Sequence, residues 1–414
     1  MSTIQPFLGI ILMLALCWAI SEDRKAIQWR PVWTGMLLAF VMMLALQKLT
    51  GLQPVMAAMN GAVDALAAAT RQGTSFVFGY LGGGGTPFAV SNPNAGFVLA
   101  FQALPIALVV GALSALLFYW GVLPLVVRGF AWLLKKTMGV GGATGLSAAA
   151  NVFLGQVEAP LVVKPYLATM TRGELFVVIT CGMATIAGTV LVVYAAMLGP
   201  LIPGALSHLL ICSFVSTPVA IAICALMVPL TPSDDAKVEL PEEDRSAIGA
   251  ITRGTTDALQ IVLAIVAMLI VFVALVALAN SLLGLLPQVL GAPLTLERVF
   301  GWLFAPLAWL IGVPWEEAHV AGNLLGKKTV INEFLAYLDL AGAPGQQLSE
   351  RSRLLMLYAL CGFANFGSLG IALASLRTLL PPDRQAVLAS LGLKSILAGL
   401  LSTCITAALV ALIV

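Results

Sequence analysis

The stretch NVFLGQVEAPLVVKPYL, residues 151–167, reads at first as part of a membrane span. Yet it places Gly155 before Gln156 and Glu158, inserts Pro160, and closes on the pair Lys164-Pro165. About 21 residues from position 143 to 163 would suffice for one crossing. Gly155 and Pro160 break a helix near its middle, however, and Lys135, Lys136 and Lys164 at its two ends belong on the same side of a bilayer. The pattern predicts a re-entrant hairpin with two arms of about ten residues, each reaching about 15 Å, and a tip at residues 155–157 near the midplane. Backbone groups released at such a tip are tolerated only where protein or a wet cavity satisfies them, so the tip should face a cavity.

The rest of the chain supplies the setting. Of 414 residues, 60% are hydrophobic and 10% charged, and the mean hydropathy is +1.02, values that a water-exposed surface does not sustain. The apolar runs have helix length and lack the in/out alternation of barrel strands, which predicts an all-α polytopic membrane protein. A net charge of +2 argues against nucleic acid as a partner. The first residues carry no Lys or Arg before Arg24 and show no small-residue cleavage site, so they read as a retained span. Six cysteines lie singly in apolar stretches and read as packing residues.

Unbroken spans are expected at 4–20, 32–46, 97–127, 206–230, 258–286 and 393–414. Between the second and third, an Ala-rich amphipathic segment (55–69) and the loop LGGGGTPFAVSNPNAG should lie at the surface. Neither this glycine run nor GKKT at 326–329 has the spacing of a phosphate loop. Arg24, Lys25 and Arg30 after the first span, with Arg128, Lys135 and Lys136 after the third, put those ends in the cytoplasm and the N-terminus outside, in an inner or plasma membrane. The acidic segment 231–245 is then a cytoplasmic linker, whereas Lys327, Lys328, Arg351 and Arg353 count as outside.

The second half repeats the design. Residues 175–199 form a span interrupted by Gly182, Thr185 and Gly188; residues 321–340 carry Asn332-Glu333 in mid-run; and 354–376 is interrupted by Gly362, Asn365, Gly367, Ser368 and Gly370. Hairpin plus broken helix therefore occurs twice, with about eight transmembrane helices in all and two opposed re-entrant hairpins forming an inverted repeat. Such pairing points to a secondary transporter with its site between the tips. The chain divides into early spans with an interfacial helix at 1–127, a first repeat at 128–230, a linker and long span at 231–298, and a second repeat at 299–414.

Intramembrane carboxylates cost about 2.5–3.5 kcal/mol on insertion scales, so Glu158 and Glu333 read as functional against the alternative of structural ties. Asn365 and Ser368 weigh against interhelical glue in the same way. His208 and His319 lack metal spacing and read as interfacial, and Glu316 and Glu317 mark the outer entrance of the second hairpin. Intramembrane catalysis would need a Ser/His pair, an aspartate pair or clustered histidines, none of which the sequence offers. A channel remains as the other class.

GQVEAP (155–160), NEFLAY (332–337) and CGFANFGSLGI (361–371) together resemble the concentrative nucleoside transporter family, in its shorter bacterial form and over essentially the whole chain. The resemblance implies a homotrimer in which a scaffold, residues 1–127 and 231–298, carries a transport domain, the repeats at 128–230 and 299–414, that moves as an elevator. It implies nucleoside symport driven by sodium, or by protons in some members, with no other cofactor. It assigns Gln156 and Glu158 to the nucleobase, Val190 and Phe363 to its apolar wall, and Glu333, Asn365 and Ser368 to the ribose. It assigns sodium to the Asn151 and Thr185 side chains with the carbonyls of Leu154 and Ile186. Val157 stands where many relatives have Thr or Ser, so the base preference does not carry over; with Gly155 leaving room at the tip, purine as well as uridine-like nucleosides are expected to enter. A carboxylate suits vicinal hydroxyl donors, and an amide matches the alternating donors and acceptors of a base edge.

Overall fold

The computed structural model describes residues 4–48, 53–89, 96–231, 246–289 and 291–414. Helices α1 (Ile4–Ala19), α2 (Trp29–Lys48) and α3 (Gln53–Phe78) open the chain, and α3 runs into a 3-10 turn at Gly79–Gly82. A short α4 (Leu99–Gln102) precedes α5 (Ile106–Tyr119) and α6 (Val122–Met138). The first hairpin is α7 (Gly142–Asn151), an irregular tip, and two single turns, α8 (Ala159–Val162) and α9 (Lys164–Leu167). The first broken helix is α10 (Arg172–Ala184) with α11 (Gly188–Leu198), and α12 (Ala205–Met227) comes next. After α13 (Ala247–Leu283) the order recurs: α14 (Leu296–Leu310), then a second hairpin of α15 (Trp315–Val330), α16 (Glu333–Ala341) and the single turn α17 (Ala343–Gln346). The second broken helix is α18 (Glu350–Leu360) with α19 (Phe366–Leu379), and α20 (Gln385–Ala411) ends the chain.

Six helical stretches among the described residues are long and apolar enough to cross a bilayer, counting α10 with α11 as one. The shorter apolar α1, and the α18–α19 pair to which the apolar α19 belongs, complete the architecture read from the sequence. Between α14 and α15 the chain bends by 115°, which turns α15 back as a hairpin arm. Only α13 separates the two copies of the repeat, so one crossing intervenes and the copies start on opposite sides.

The core lies in α10, α12 and α20. The most apolar windows of α12 and α20 are 89% and 83% buried, against 6% for α13. What α13 does bury is a stripe of Ala250, Gly254, Ala258 and Val262, spaced by four and therefore on one face. That stripe meets α5 at a pair of glycines: a Cβ on Gly254 would stand 2.4 Å from the Gly111 carbonyl oxygen, and one on Gly111 would stand 2.6 Å from that of Gly254. Small residues at spacing four let two backbones touch, the packing that substitutes for hydrophobic drive inside lipid.

Several expectations require correction. The span expected to run unbroken over 97–127 is cut at Gly121, whose φ of +78° turns the chain. Beyond that turn α6 is amphipathic, burying Val127, Phe130, Leu134 and Met138 and leaving Lys135 and Lys136 in its last turn. The surface helix expected at 55–69 extends to Phe78, because its Thr74 hydroxyl donates to the Gly82 carbonyl and ties the start of the glycine run back onto the helix. Helix α1 packs on α20, α14 and α12, and α2 on α12, whereas α5 packs on α13. Lys328, counted as an outside charge, is fully buried. Apart from Thr231, the acidic linker lies outside the described residues.

Candidate functional site

Capping decides where each tip points. Asn332 caps α16 by accepting from the Leu335 amide at 2.9 Å, and Asn365 caps α19 by accepting from the Ser368 amide at 2.7 Å. Both asparagines thus satisfy helix-end donors that a break leaves orphaned. Glu333, the first residue of α16, is thereby held with its carboxylate towards Asn365 and α11. Asn365 Nδ2 donates to Glu333 Oε2 at 2.7 Å, and the Tyr194 hydroxyl donates to Oε1 at 2.9 Å. The Tyr194 ring stacks at 4.6 Å from Tyr337, whose hydroxyl in turn bonds the Leu357 carbonyl at 2.9 Å. A buried carboxylate with one donor on each oxygen still keeps free lone pairs for further donors.

Close backbone contacts seat the first tip. Gly155 has φ +91°, and a Cβ there would stand 2.7 Å from that of Ala187. The Gly188 amide donates to the Phe153 carbonyl at 2.9 Å, which seats the tip in the α10–α11 break. Gly182 leaves room for Gln156, whose Cβ would lie 2.8 Å from an added Cβ. The Gln156 amide oxygen is buried without a hydrogen-bond partner, as is Asn151 Oδ1. Buried acceptors of this kind are rare and call for an explanation, an unbound cation or donor being one.

Both tips and both breaks open on one cavity of about 590 Å³, a size typical of small-molecule sites. Gln156, Val157 and Glu158 line it from the first hairpin, Val190 from α11, Glu333 from the second hairpin, and Phe363, Asn365 and Ser368 from the second break. All eight residues singled out for substrate therefore meet in one place. Of the four singled out for sodium, Leu154 also lines the cavity, while Asn151, Thr185 and Ile186 lie buried behind it. The Thr185 hydroxyl donates to the Cys181 carbonyl at 2.9 Å and stands 3.4 Å from the Asn151 carbonyl. Asn151 Nδ2 donates to the Ser147 carbonyl at 3.2 Å, while its Oδ1 is left without a partner at the end of α7, whose backbone carbonyl Thr185 approaches from the break after α10. These are hard oxygen donors, suited to an alkali cation.

Other cavity residues are not singled out by the sequence. Tyr194 is one helical turn beyond Val190, a spacing that places both on one face. Arg253, Asp257 and Gln260 are the polar part of the otherwise apolar cavity wall contributed by α13, and Arg253 pairs with Asp257 at 3.6 Å. Their i, i+4, i+7 pattern is visible in the sequence, but they cluster around the start of the apolar run at position 258. The histidines take no part in the cavity; His208, half-buried in the first turn of α12, has Nδ1 2.9 Å from the Tyr358 hydroxyl.

This arrangement of two hairpins, two breaks and one shared cavity has counterparts among known proteins. Three family models match in chain order: "Na+ dependent nucleoside transporter N-terminus" over residues 8–81, "Nucleoside recognition" over 100–201, and "Na+ dependent nucleoside transporter C-terminus" over 208–411. The nucleoside permease NupC of Helicobacter pylori is 34% identical over 425 residues, covering 100% of this chain and 98% of that protein. The chain belongs to the sodium-dependent nucleoside transporter family. It is a multi-pass membrane protein of a transporter family, not an enzyme. An uncharacterized transporter of Bacillus subtilis, YutK, is 35% identical over 415 residues and covers 99% of each chain. Among solved members, CNTnw in an inward-facing substrate-bound state superimposes with a TM-score of 0.88 at 35% identity, covering 100% of this chain and 98% of that one. A CNTnw variant in an outward-facing state gives 0.87 at 34% identity. The fold is thus common to members caught on both sides of the transport cycle.

Proposed function

We propose that this chain is a secondary active symporter that takes up nucleosides, uridine-like and purine alike, with a sodium ion. The observation that carries the reading is the Glu333 carboxylate, held by Tyr194 and Asn365 on the same cavity as Gln156. In this reading Glu333, Asn365 and Ser368 receive the ribose hydroxyls. Gln156 and Glu158 meet the base, and Val157, Val190 and Phe363 enclose it. Sodium sits between Asn151, Thr185 and the carbonyls of Leu154 and Ile186, and by ordering the first tip raises nucleoside affinity; the coupling is reciprocal. The chain works as a homotrimer in a bacterial inner membrane with its N-terminus outside. Packing supports a division in which α5 and α13 are the fixed scaffold and α1 and α2, packed on α12 and α20, travel with the hairpins as an elevator.

Uptake of labelled uridine into proteoliposomes tests this, comparing an inward sodium gradient with potassium and with an inward proton gradient. Accumulation above equilibrium only with sodium is expected. Accumulation with protons alone would keep the substrate and discard the ion, turning attention to Glu158 and Glu333. Absence of uridine uptake by folded protein would discard the substrate class. Competition by adenosine at concentrations similar to uridine is expected too, and indifference to adenosine would restrict the cavity to pyrimidines.

A further inference from the structure

Lys328 is the most deeply buried cation in the described structure, fully withdrawn from solvent within α15. None of the ion pairs among the described residues includes it. Its ammonium instead spends its three donors on neutral oxygens: the Ala359 carbonyl at 2.8 Å, the Thr403 hydroxyl at 2.9 Å and the Cys361 carbonyl at 3.2 Å. Burying an ammonium with no carboxylate in hydrogen-bond contact is costly; Glu333 acts on this one only through space, and a site with negative potential lowers the cost further. The site has one. Helix α18 ends at Leu360, so Ala359 is among the last carbonyls of a helix, where four acceptors lack intrahelical partners and the dipole is negative.

The position of this ammonium is set by the repeat. In the first copy, Asn151 ends the leading arm of the hairpin and Thr185 is the first residue after α10; the two are 34 residues apart and in contact. In the second copy, Lys328 lies in the last turn of the leading arm and Cys361 is the first residue after α18; the two are 33 residues apart and in contact. The two breaks also touch, since a Cβ on Gly362 would stand 2.6 Å from the Met183 carbonyl oxygen.

We propose that the Lys328 ammonium is a built-in cation occupying, in the second repeat, the place that the coupling sodium takes in the first. This rests on the proposed sodium site between Asn151 and Thr185. Its consequence is a division of labour. The first break is ordered by an ion that arrives and leaves with substrate, whereas the second is permanently set by a charge tethered to the chain.

The test is to vacate the position. Lys328→Ala leaves the oxygens of Ala359, Cys361 and Thr403 around a space that sodium can enter, whereas Lys328→Met fills the space without charge. Melting temperatures of the full-length detergent-solubilised protein would be measured against sodium chloride, with choline chloride at matched ionic strength. The Ala variant is expected to melt below the parent in choline and to regain the loss in sodium through a saturable phase the parent lacks. The Met variant is expected to stay low in both salts. An Ala curve parallel to the parent's, or Ala and Met variants responding alike, would overturn the proposal. Should the Ala variant be recovered folded only when extracted in sodium, that supports the proposal; failure in both salts counts against it. Repeating the titration with Asn151→Ala and Thr185→Ala added separates the two ideas. A sodium response that survives there belongs to the Lys328 position. A parent without any sodium response beside an Ala variant that has one would sink the sodium site at Asn151 and Thr185 and keep the one at Lys328.

Discussion

The two hairpins do the same topological job with opposite chemistry. The second is tied by charged groups, with one buried oxygen, Asn323 Oδ1 on α15, left without a partner: Lys327 on α15 pairs with Asp339 on α16 at 2.5 Å and lies 3.7 Å from Glu297 on α14, Lys328 bonds the break behind it, and Glu333 is held from both sides. The first has a tip of irregular backbone, second-arm turns of four residues each, and buried oxygens on Asn151 and Gln156 without partners. Unmet acceptors cost free energy until something arrives to meet them. The contrast separates a hairpin assembled before cargo binds from one that cargo completes.

The largest expected effect tests the assembled side. Glu333→Gln replaces two acceptors by one acceptor and one donor, so Tyr194 and Asn365 can no longer each donate to a separate oxygen, and a ribose hydroxyl loses its charged partner. Hydrogen bonds to charged groups carry about 1.5–3 kcal/mol, so uridine affinity should fall by roughly 10- to 150-fold. A 2′-deoxynucleoside should lose less, and calorimetric titration of both reads the difference. Retention of parental uridine binding would remove Glu333 from the site.

On the cargo-completed side, Asn151→Ala combined with Thr185→Ala removes both side-chain oxygens from the ion position while leaving the cavity lining intact. Half-saturating sodium is expected to rise by about tenfold or more, the equivalent of about 1.4 kcal/mol, with nucleoside affinity at saturating sodium little changed. An unaltered sodium curve would place the ion elsewhere.

The hairpins and breaks were legible because the letters that make them are anomalous in lipid. Pro160 and Gly155 cannot continue a helix, and Glu158 and Glu333 are out of place in hydrocarbon unless they face a cavity. Less legible was anything that depends on which neighbour a helix meets. Lys328 carries the same letter whether it sits at a membrane face or in the core, and a charge rule counts letters. Arg253, Asp257 and Gln260 look like the polar foot of a span, because the cavity they face exists only once α5 and α13 cross at Gly111 and Gly254. Gly121 passes for one more small residue in an apolar run until its positive φ divides the run into a span and an amphipathic helix.

A smaller effect sharpens the comparison at the first tip alone. Gly155→Ala adds a Cβ 2.7 Å from that of Ala187 at a φ of +91°. Strain of this kind costs about 1–3 kcal/mol. Gly61→Ala on α3, where an added Cβ meets nothing, is the control and should be neutral or slightly stabilising. Thermal melting should show a loss for the first and none for the second. The Gly155 variant should also bind sodium less tightly, because the seat of the tip in the α10–α11 break is where the ion ligands converge.

The smallest effect lies away from both hairpins, on the polar surface that joins them to the remaining helices. Glu22, between α1 and α2, accepts from Arg172 Nη2 at 2.8 Å and Nε at 2.9 Å, and also pairs with Lys394 on α20. The hydrogen bond from Arg172, aided by Lys394 and opposed by partial burial, lowers its pKa from an ordinary 4.5 to about 2. A carboxylate whose folded pKa is depressed contributes stability that is complete above its unfolded value and is lost as pH falls through the folded one, here between about 4.5 and 2. The three side chains are partly solvent-exposed, so screening holds the contribution to about 1 kcal/mol or less. Glu22→Gln should therefore lower the melting temperature only slightly at neutral pH, flatten its decline in that acid window, and lose its difference from the parent at high salt. If the variant and parent declined in parallel through the window, the ion cluster would be contributing nothing. The differences in sodium and nucleoside binding between the hairpins would then rest wholly on groups inside the bundle.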